Sequence, residues 1–83
     1  MLKIDDFDDA VIGPASVWRE DGLVDVLIYD GEKMVEVLMR EGNSEENARD
    51  YISFNCEGWF LGPTTPIIVW PDPNWKDRLD QDQ

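Results

Sequence analysis

The stretch that most constrains the fold is residues 51–69, because it joins an apolar helix end to a β-branched strand. It reads Tyr-Ile-Ser-Phe-Asn-Cys-Glu-Gly-Trp-Phe-Leu-Gly-Pro-Thr-Thr-Pro-Ile-Ile-Val. Gly58 and Gly62 bracket an aromatic turn, and glycine is the residue that most readily ends a helix or closes a turn. We therefore expect this stretch to turn a second helix back into a sheet, with the helix ending at Gly58 and a short extended piece at residues 59–61.

Two apolar runs near the start of the chain predict a β-hairpin. Residues 10–18 read as a strand interrupted at Gly13 and Pro14. Proline has no N–H for a ladder, so this strand should lie at a sheet edge, be bulged there, or be split. Residues 23–29 read as a cleaner strand, covered on much of both faces. The short charged turn between them favours antiparallel pairing.

A first helix is predicted over residues 31–41. Asp30 can cap it, and Met34, Val35 and Leu38 recur with the helical period on one stripe. Gly42 stands just beyond its end, where glycine is favoured.

A second helix is predicted to begin at Asn43 or Ser44, with Asn43 and Glu46 forming a capping-box-like pair. Its apolar positions are Ala48, Tyr51 and Ile52. Residues 66–70 then form a third strand rich in β-branched residues.

This order predicts an α+β domain with a small antiparallel or mixed sheet (order β-β-α-α-β) and a helical hairpin packed on one face. We expect residues 1–71 to form a single compact acidic domain and residues 72–83 to form a polar, mobile tail. The chain has four tryptophans, and we expect core packing to account for two or three of them.

The net charge of -12 excludes several classes of function. Phosphate contacts require clustered Lys and Arg, so direct nucleic-acid binding is not expected, and an anionic membrane is disfavoured. The chain has no histidine, which removes the commonest general base and transition-metal ligand. Cys56 has no imidazole partner for nucleophilic catalysis. We expect no enzymatic activity, no metal site and no cofactor.

The location of the protein is predicted to be cytoplasmic. Cys56 is the only cysteine, and one unpaired thiol suits a reducing compartment. No apolar run approaches the roughly 20 residues that span a bilayer, and the first residues do not resemble a signal peptide.

The candidate interaction surface is acidic with one aromatic residue. Four aspartates surround Ile4 and Phe7, which can anchor the segment while the carboxylates stay in water. Such a cluster can be a solvated terminus, a divalent-cation site or a contact for a basic partner. The full candidate surface comprises Asp5, Asp6, Asp8, Asp9, Glu45, Glu46, Asp50 and Trp59.

Asn55 is the most unusual polar residue, because it lies among apolar and aromatic side chains near the end of the second helix. We expect a structural role: its amide either bonds a helix carbonyl or holds the turn between Gly58 and Gly62. Contact with a ligand is the alternative.

These motifs resemble a family of small uncharacterised bacteriophage and prophage proteins. In that family a helix ends in Phe-Asn and is followed by Gly, an aromatic residue, Gly, and Thr-Pro-Ile or Thr-Pro-Val, as in residues 51–67 here. Residues 7–13, 29–30 and 33–38 match as well, so the likeness covers roughly residues 5–70. The resemblance implies a phage-type accessory protein that acts in a bacterial cytoplasm, and it brings no catalytic residue.

The chain departs from that family's pattern at two positions. Pro14 affects the hydrogen bonding of the first strand, whereas Asn47, where an acidic residue is usual, affects only the cap of the second helix.

Three hypotheses of function follow. The first is a non-enzymatic protein-binding module that engages a basic host or defence protein, including by imitating DNA. The second is an assembly protein whose homodimer or larger homo-oligomer buries surplus tryptophan and the edge of the strand at residues 23–29 or 67–70. The third is a small-ligand or divalent-cation binder that uses Asp8, Asp9 and Asn55.

Overall fold

A computed structural model describes residues 1–56 and 62–81 of the chain. After a short 3-10 turn (Asp8–Ala10) the elements are β1 (Val11–Arg19), β2 (Gly22–Asp30), α1 (Gly31–Arg40), α2 (Glu45–Asn55), β3 (Ile67–Val69) and α3 (Trp75–Gln81). The order from β1 to β3 confirms the predicted β-β-α-α-β arrangement, and the fold class is α+β.

The sheet is mixed, with β2 in the centre. β1 pairs antiparallel with β2, and β3 pairs parallel with the other side of β2. Parallel pairing requires a long crossover, which the two helices between β2 and β3 supply. Within the described residues β3 pairs only with residues 28–30 of β2, so the prediction that a homo-oligomer uses the edge of residues 23–29 stays a prediction.

β1 is an edge strand with an irregularity where the sequence predicted one. Its register against β2 shifts between Val11 and Gly13, and Gly13 has a φ of +148°. Pro14 follows at once, opposite Leu27. The edge position accommodates a residue that cannot donate to a ladder, and the bulge lies just before it, at residues 11–13.

α1 begins and ends as the sequence predicts. The Asp30 side chain accepts hydrogen bonds from the N–H groups of Glu32 (2.9 Å) and Lys33 (3.3 Å), so it satisfies two helix donors that have no partner within the helix. Gly42 lies two residues past the end of α1 with a φ of +103°. Glycine adopts this left-handed conformation at low cost because it has no side chain.

The cap of α2 differs from the prediction. Asn43 belongs to the end of α1, since its backbone N–H and its side-chain amide both donate to the Leu38 carbonyl, at 3.1 and 2.9 Å. Ser44 is the N-cap, and its hydroxyl accepts from the Asn47 N–H at 3.1 Å. The predicted pair of Asn43 and Glu46 is therefore wrong.

One hydrophobic core lies between the sheet, α1, α2 and the N-terminal segment. Tyr29 of β2, Met34 of α1 and Ile52 of α2 are fully buried in it. Burying a side chain such as Met34 or Ile52 stabilises the fold by about 1.5–3 kcal/mol. The buried cluster comprises Phe7, Ala10, Tyr29, Met34, Val35, Leu38, Ala48 and Ile52.

Tryptophan does not contribute to this buried cluster as predicted. Trp18, Trp70 and Trp75 are all exposed to solvent. Trp59 lies outside the described residues. The expectation that two or three tryptophans are core residues is therefore wrong.

The C-terminal part of the chain differs from the prediction in its details. α2 ends at Asn55, and the predicted end at Gly58 and extended piece at residues 59–61 lie outside the described residues. β3 is limited to Ile67–Val69. The predicted tail contains α3, a helix that the sequence analysis did not include. Over residues 1–56 and 62–81, no helix has the length and apolar character needed to cross a membrane.

Candidate protein-interaction surface

Four aspartates of the N-terminal segment surround one open depression. Asp5, Asp6, Asp8 and Asp9 line it together with Lys3, and its volume is about 470 Å³. All four carboxylates are exposed. The structure thus brings together half of the predicted surface residues.

Buried neighbours hold this acidic segment against the core. Phe7 lies between the aspartates and is only 3% exposed, and Ala10 is fully buried. The Ile4 N–H donates to the Tyr29 hydroxyl at 2.9 Å. The carboxylates therefore project from an anchored backbone, which is the arrangement that the apolar residues of the segment predict.

Two of the four aspartates form ion pairs within the protein. Lys3 Nζ lies 3.2 Å from Asp8, and Arg40 lies 3.6 Å from Asp9. The hydrogen bond from Lys3 to Asp8, and then their charge attraction, raise the pKa of Lys3. Asp5 and Asp6 form no ion pair within residues 1–56 and 62–81, although the charge of Asp5 also contributes to the raised pKa of Lys3.

The arrangement of the aspartates bears on the predicted alternative of a cation site. Among the residues that the structure describes, no three acidic or cysteine side chains are placed to share a metal ion. Ca²⁺ takes six to eight oxygen ligands, so it requires carboxylates that converge. The four carboxylates line the depression without forming such a group among the described residues.

A second acidic group lies on α2. Arg49 forms ion pairs with Glu45 (3.0 Å) and with Glu32 of α1 (2.9 Å), and these hydrogen bonds raise the pKa of Arg49, with Glu32 the larger cause. Glu45 is thus engaged inside the protein. Glu46 and Asp50 are exposed and form no ion pair in the described part of the chain.

Glu46 and Asp50 share an outer stripe of α2 with an aromatic residue that the sequence analysis missed. They are followed at the same four-residue spacing by Phe54, and residues four apart lie on one helix face. Phe54 is 79% exposed. The four-residue spacing of Glu46, Asp50 and Phe54 is present in the sequence, and it is the signal that places Phe54 on the acidic face of α2.

Tyr51 was also assigned to the wrong side of α2. The helical period predicted that Tyr51 lies on the apolar stripe with Ala48 and Ile52. Those two residues are fully buried, but Tyr51 is about half exposed. Its position is on the flank of the buried stripe, where a long aromatic side chain reaches solvent.

Asn55 bonds a carbonyl of its own helix, one of the two structural roles considered for it. Its side-chain amide donates to the Tyr51 carbonyl at 3.1 Å. Asn55 and Tyr51 also line a cavity of about 330 Å³ between the end of α2, the N-terminal segment and Thr65. Asp8 and Asp9 line the other depression instead. Asp8, Asp9 and Asn55 therefore line two depressions, which adjoin each other at Lys3 and Asp5.

The described members of the predicted surface thus lie on two elements, the N-terminal segment and α2. Asp5 and Asp6 of the first element and Glu46 and Asp50 of the second form no ion pair among the described residues. Trp59, the remaining member of the predicted surface, lies outside the described residues.

No protein-family model, curated protein or solved structure matches the chain. Function is therefore inferred from the charge, exposure and packing of the residues described above.

Proposed function

We propose that this protein is a small non-enzymatic binding module that engages a basic protein through its acidic surface. The observation that carries the proposal is that Asp5, Asp6, Glu46 and Asp50 are exposed and form no ion pair among the residues that the structure describes. Buried residues hold both groups in place, so their positions are set before a partner arrives.

The kind of partner follows from the chemistry of these groups. A protein that binds nucleic acid presents clustered Lys and Arg to a row of phosphates. Separate carboxylates on a rigid surface can occupy the same cations, and a net charge of -12 accelerates the encounter. The protein therefore acts as a polyanion mimic that inhibits a nucleic-acid-handling protein.

The resemblance to bacteriophage and prophage proteins supports the setting of this proposal. A phage-type accessory protein meets host and defence proteins in the bacterial cytoplasm, and many of those proteins bind nucleic acid. Phe54 supplies the apolar contact that such an interface needs, because aromatic residues dominate binding energy while rim charges mainly set rate and specificity.

The first experiment captures and then characterises a partner. Bacterial lysate proteins that bind heparin are passed over the immobilised protein and eluted with increasing salt. We expect retained proteins to be basic, to be released by salt, and to lose bound DNA when this protein is added. Retention that is unchanged at 1 M salt, where the Debye length is about 3 Å, would contradict an electrostatic contact. Simultaneous binding of DNA and this protein would contradict mimicry.

Three double variants then locate the contact on the surface. Asp5→Asn with Asp6→Asn tests the N-terminal group, and Glu46→Gln with Asp50→Asn tests the α2 group. Asn is conservative at position 6, where φ is +74°, since Asn tolerates the left-handed region. The control is Glu20→Gln with Asp21→Asn at the exposed β1–β2 turn, which removes the same charge elsewhere.

We expect at least one of the first two variants to weaken binding of the captured protein by tenfold or more, roughly 1.4 kcal/mol. The control should change it much less. Equal weakening by all three variants would mean that only total charge matters, and it would overturn the assignment to these two groups.

A further inference from the structure

β1 has an outer edge on the side away from β2. β1 pairs with β2 on one side, and within residues 1–56 and 62–81 it pairs with no strand on the other. Pro14, Ala15 and Ser16 are exposed, and Trp18 is 79% exposed. Unpaired strand edges carry N–H and C=O groups that can add another strand.

The register shows which backbone groups point outward. A two-residue turn connects Arg19 to Gly22, so these two residues exchange both hydrogen bonds. Pairs alternate from there, which directs the N–H and C=O groups of Trp18 and Ser16 away from β2. The backbone of Pro14 points outward in the same way. Its missing N–H therefore removes no hydrogen bond from the ladder with β2 and removes one donor only from the outer edge.

We propose that β1 pairs with β1 of a second copy of this chain, antiparallel, about a two-fold axis at Ser16. The regular edge runs from Gly13, after the bulge, to Arg19, and Ser16 is its centre. A two-fold axis at Ser16 pairs the whole regular segment of one copy with the same segment of the other. The two Ser16 residues then exchange hydrogen bonds, and each Trp18 N–H donates to the Pro14 carbonyl of the other copy, which is the one group that Pro14 offers.

The side chains of this segment complement one another about the same axis. Trp18 comes to lie opposite the second copy's Pro14 on one face of the sheet, and Val17 opposite its Ala15 on the other. Each pair sets a larger side chain against a smaller one, and the exposed Trp18 ring becomes covered. Aromatic anchors of this kind dominate small interfaces.

Charge also favours a second copy at this edge. β1 contains no carboxylate, and its only charged residue is Arg19, in a chain with a net charge of -12. A contact along β1 therefore brings no carboxylate of that strand against another, although Asp25 of β2 accepts a hydrogen bond from the Ser16 hydroxyl at 2.7 Å. A two-fold contact is closed, so it gives a dimer and no filament. The shared edge is short, so the dimer belongs to the weak class of interfaces.

Sedimentation of the full chain over a concentration series tests the dimer. We expect a monomer–dimer equilibrium that shifts toward dimer as salt rises, because screening reduces repulsion between two acidic copies. Partner binding through the acidic surface has the opposite salt dependence, so the two proposals can fail independently. A strict monomer at every concentration and salt level overturns this one.

Two substitutions locate the interface. Trp18→Glu should abolish the dimer, whereas Trp75→Glu, at an exposed tryptophan of α3, should leave it unchanged. A dimer that survives Trp18→Glu would show that another surface forms it. Far-UV circular dichroism confirms that both variants keep their fold.

Disulfide cross-linking then tests whether the two-fold axis passes through Ser16. In a Cys56→Ser background, Ser16→Cys places two thiols on hydrogen-bonded partners with Cα atoms about 5.5 Å apart, inside the range that disulfides span. Mild oxidation should cross-link this variant rapidly. Ala15→Cys in the same background faces Val17 and should cross-link slowly. Equal rates for the two variants would overturn the axis at Ser16.

Discussion

The hydroxyl of Tyr29 accepts a hydrogen bond from the Ile4 backbone N–H at 2.9 Å and thereby ties the N-terminal segment to the central strand. Tyr29 is fully buried, and its hydroxyl also lies 3.5 Å from the Ile4 carbonyl. Phe7 packs into the same core. The segment that carries the four aspartates is thus held by polar contacts at Ile4 and by apolar packing of Phe7 and Ala10.

Removal of this hydroxyl should loosen the acidic segment. Tyr29→Phe leaves the Ile4 N–H without its partner, and we expect a loss of about 0.5–1.5 kcal/mol in the free energy of unfolding. Urea denaturation measures that loss, and hydrogen exchange at Ile4 should accelerate. Tyr51→Phe makes the same chemical change at an exposed position and should stay within about 0.5 kcal/mol. Equal effects of the two variants would contradict an anchoring hydrogen bond.

Two methionines of α1 provide a matched test of the core. Met34 is fully buried, whereas Met39 is largely exposed. Met34→Ala should cost about 2–5 kcal/mol through lost burial and an unfilled cavity, a large fraction of the 5–15 kcal/mol typical of a domain. Met39→Ala should stay within about 0.5 kcal/mol. Denaturant midpoints that fall equally for both would show that the assigned core is wrong.

Gly31 should resist replacement by alanine, although alanine is the better helix former by about 1 kcal/mol. A Cβ at Gly31 would stand 2.6 Å from ring carbons of Trp70, so the ring must move. That movement disturbs the contact of Trp70 with the Arg49 guanidinium, which lies 5.8 Å from the ring centroid. We expect Gly31→Ala to destabilise the protein by about 1–3 kcal/mol.

A double-mutant cycle assigns the cause. In a Trp70→Ala background the obstacle is gone, so Gly31→Ala should become neutral or stabilising. The same loss in both backgrounds would show that Trp70 is not responsible. Thermal unfolding of the four proteins supplies the comparison.

The start of α3 should depend on the ionised form of Asp72. The Arg78 side chain donates to this carboxylate at 2.8 Å and the Asn74 N–H donates at 2.9 Å. The bond from Arg78, followed by that from Asn74, lowers the pKa of Asp72 below its ordinary value of 3.8. A lowered pKa in the folded state means that this contact is complete above the ordinary value and is lost as pH falls through the lowered one.

NMR titration of the Asp72 carboxyl group should therefore give a midpoint below 3.8. Arg78→Gln removes the larger cause and should move the midpoint upward. An unchanged midpoint in that variant would show that the guanidinium does not hold the carboxylate in solution.

Features determined by neighbouring residues were predictable from the sequence. Asp30 before α1 and Gly42 after it are cap positions whose chemistry is local. The edge position of β1 follows from Pro14, whose missing N–H excludes it from the centre of a sheet. These rules act within a few residues, so they apply before the tertiary structure is known.

Competition between neighbours was not predictable in the same way. Asn43 and Ser44 are both good caps, and both are followed three residues later by a polar residue. The structure assigns Ser44 to α2 because the backbone and amide of Asn43 are already bound to Leu38 at the end of α1. The outcome depends on how the two helices meet.

Which acidic residues remain free to bind a partner also depends on how the helices pack. The sequence identified the acidic residues, but it could not tell Glu46 from Glu45. Arg49 separates them by binding Glu45 on its own helix and Glu32 on α1, a pairing that exists only once α1 and α2 are packed.

The parallel pairing of β3 with β2 has a consequence for synthesis of the chain. It joins Ile28 to Ile67, which are separated by nearly half of the sequence, and a ribosome adds roughly 5–20 residues per second from the N-terminus. The β1–β2 hairpin and the first helix therefore emerge seconds before the strand that completes the sheet. A lone hairpin is marginally stable in water, so the sheet gains its full stability only after β3 has been added to the chain.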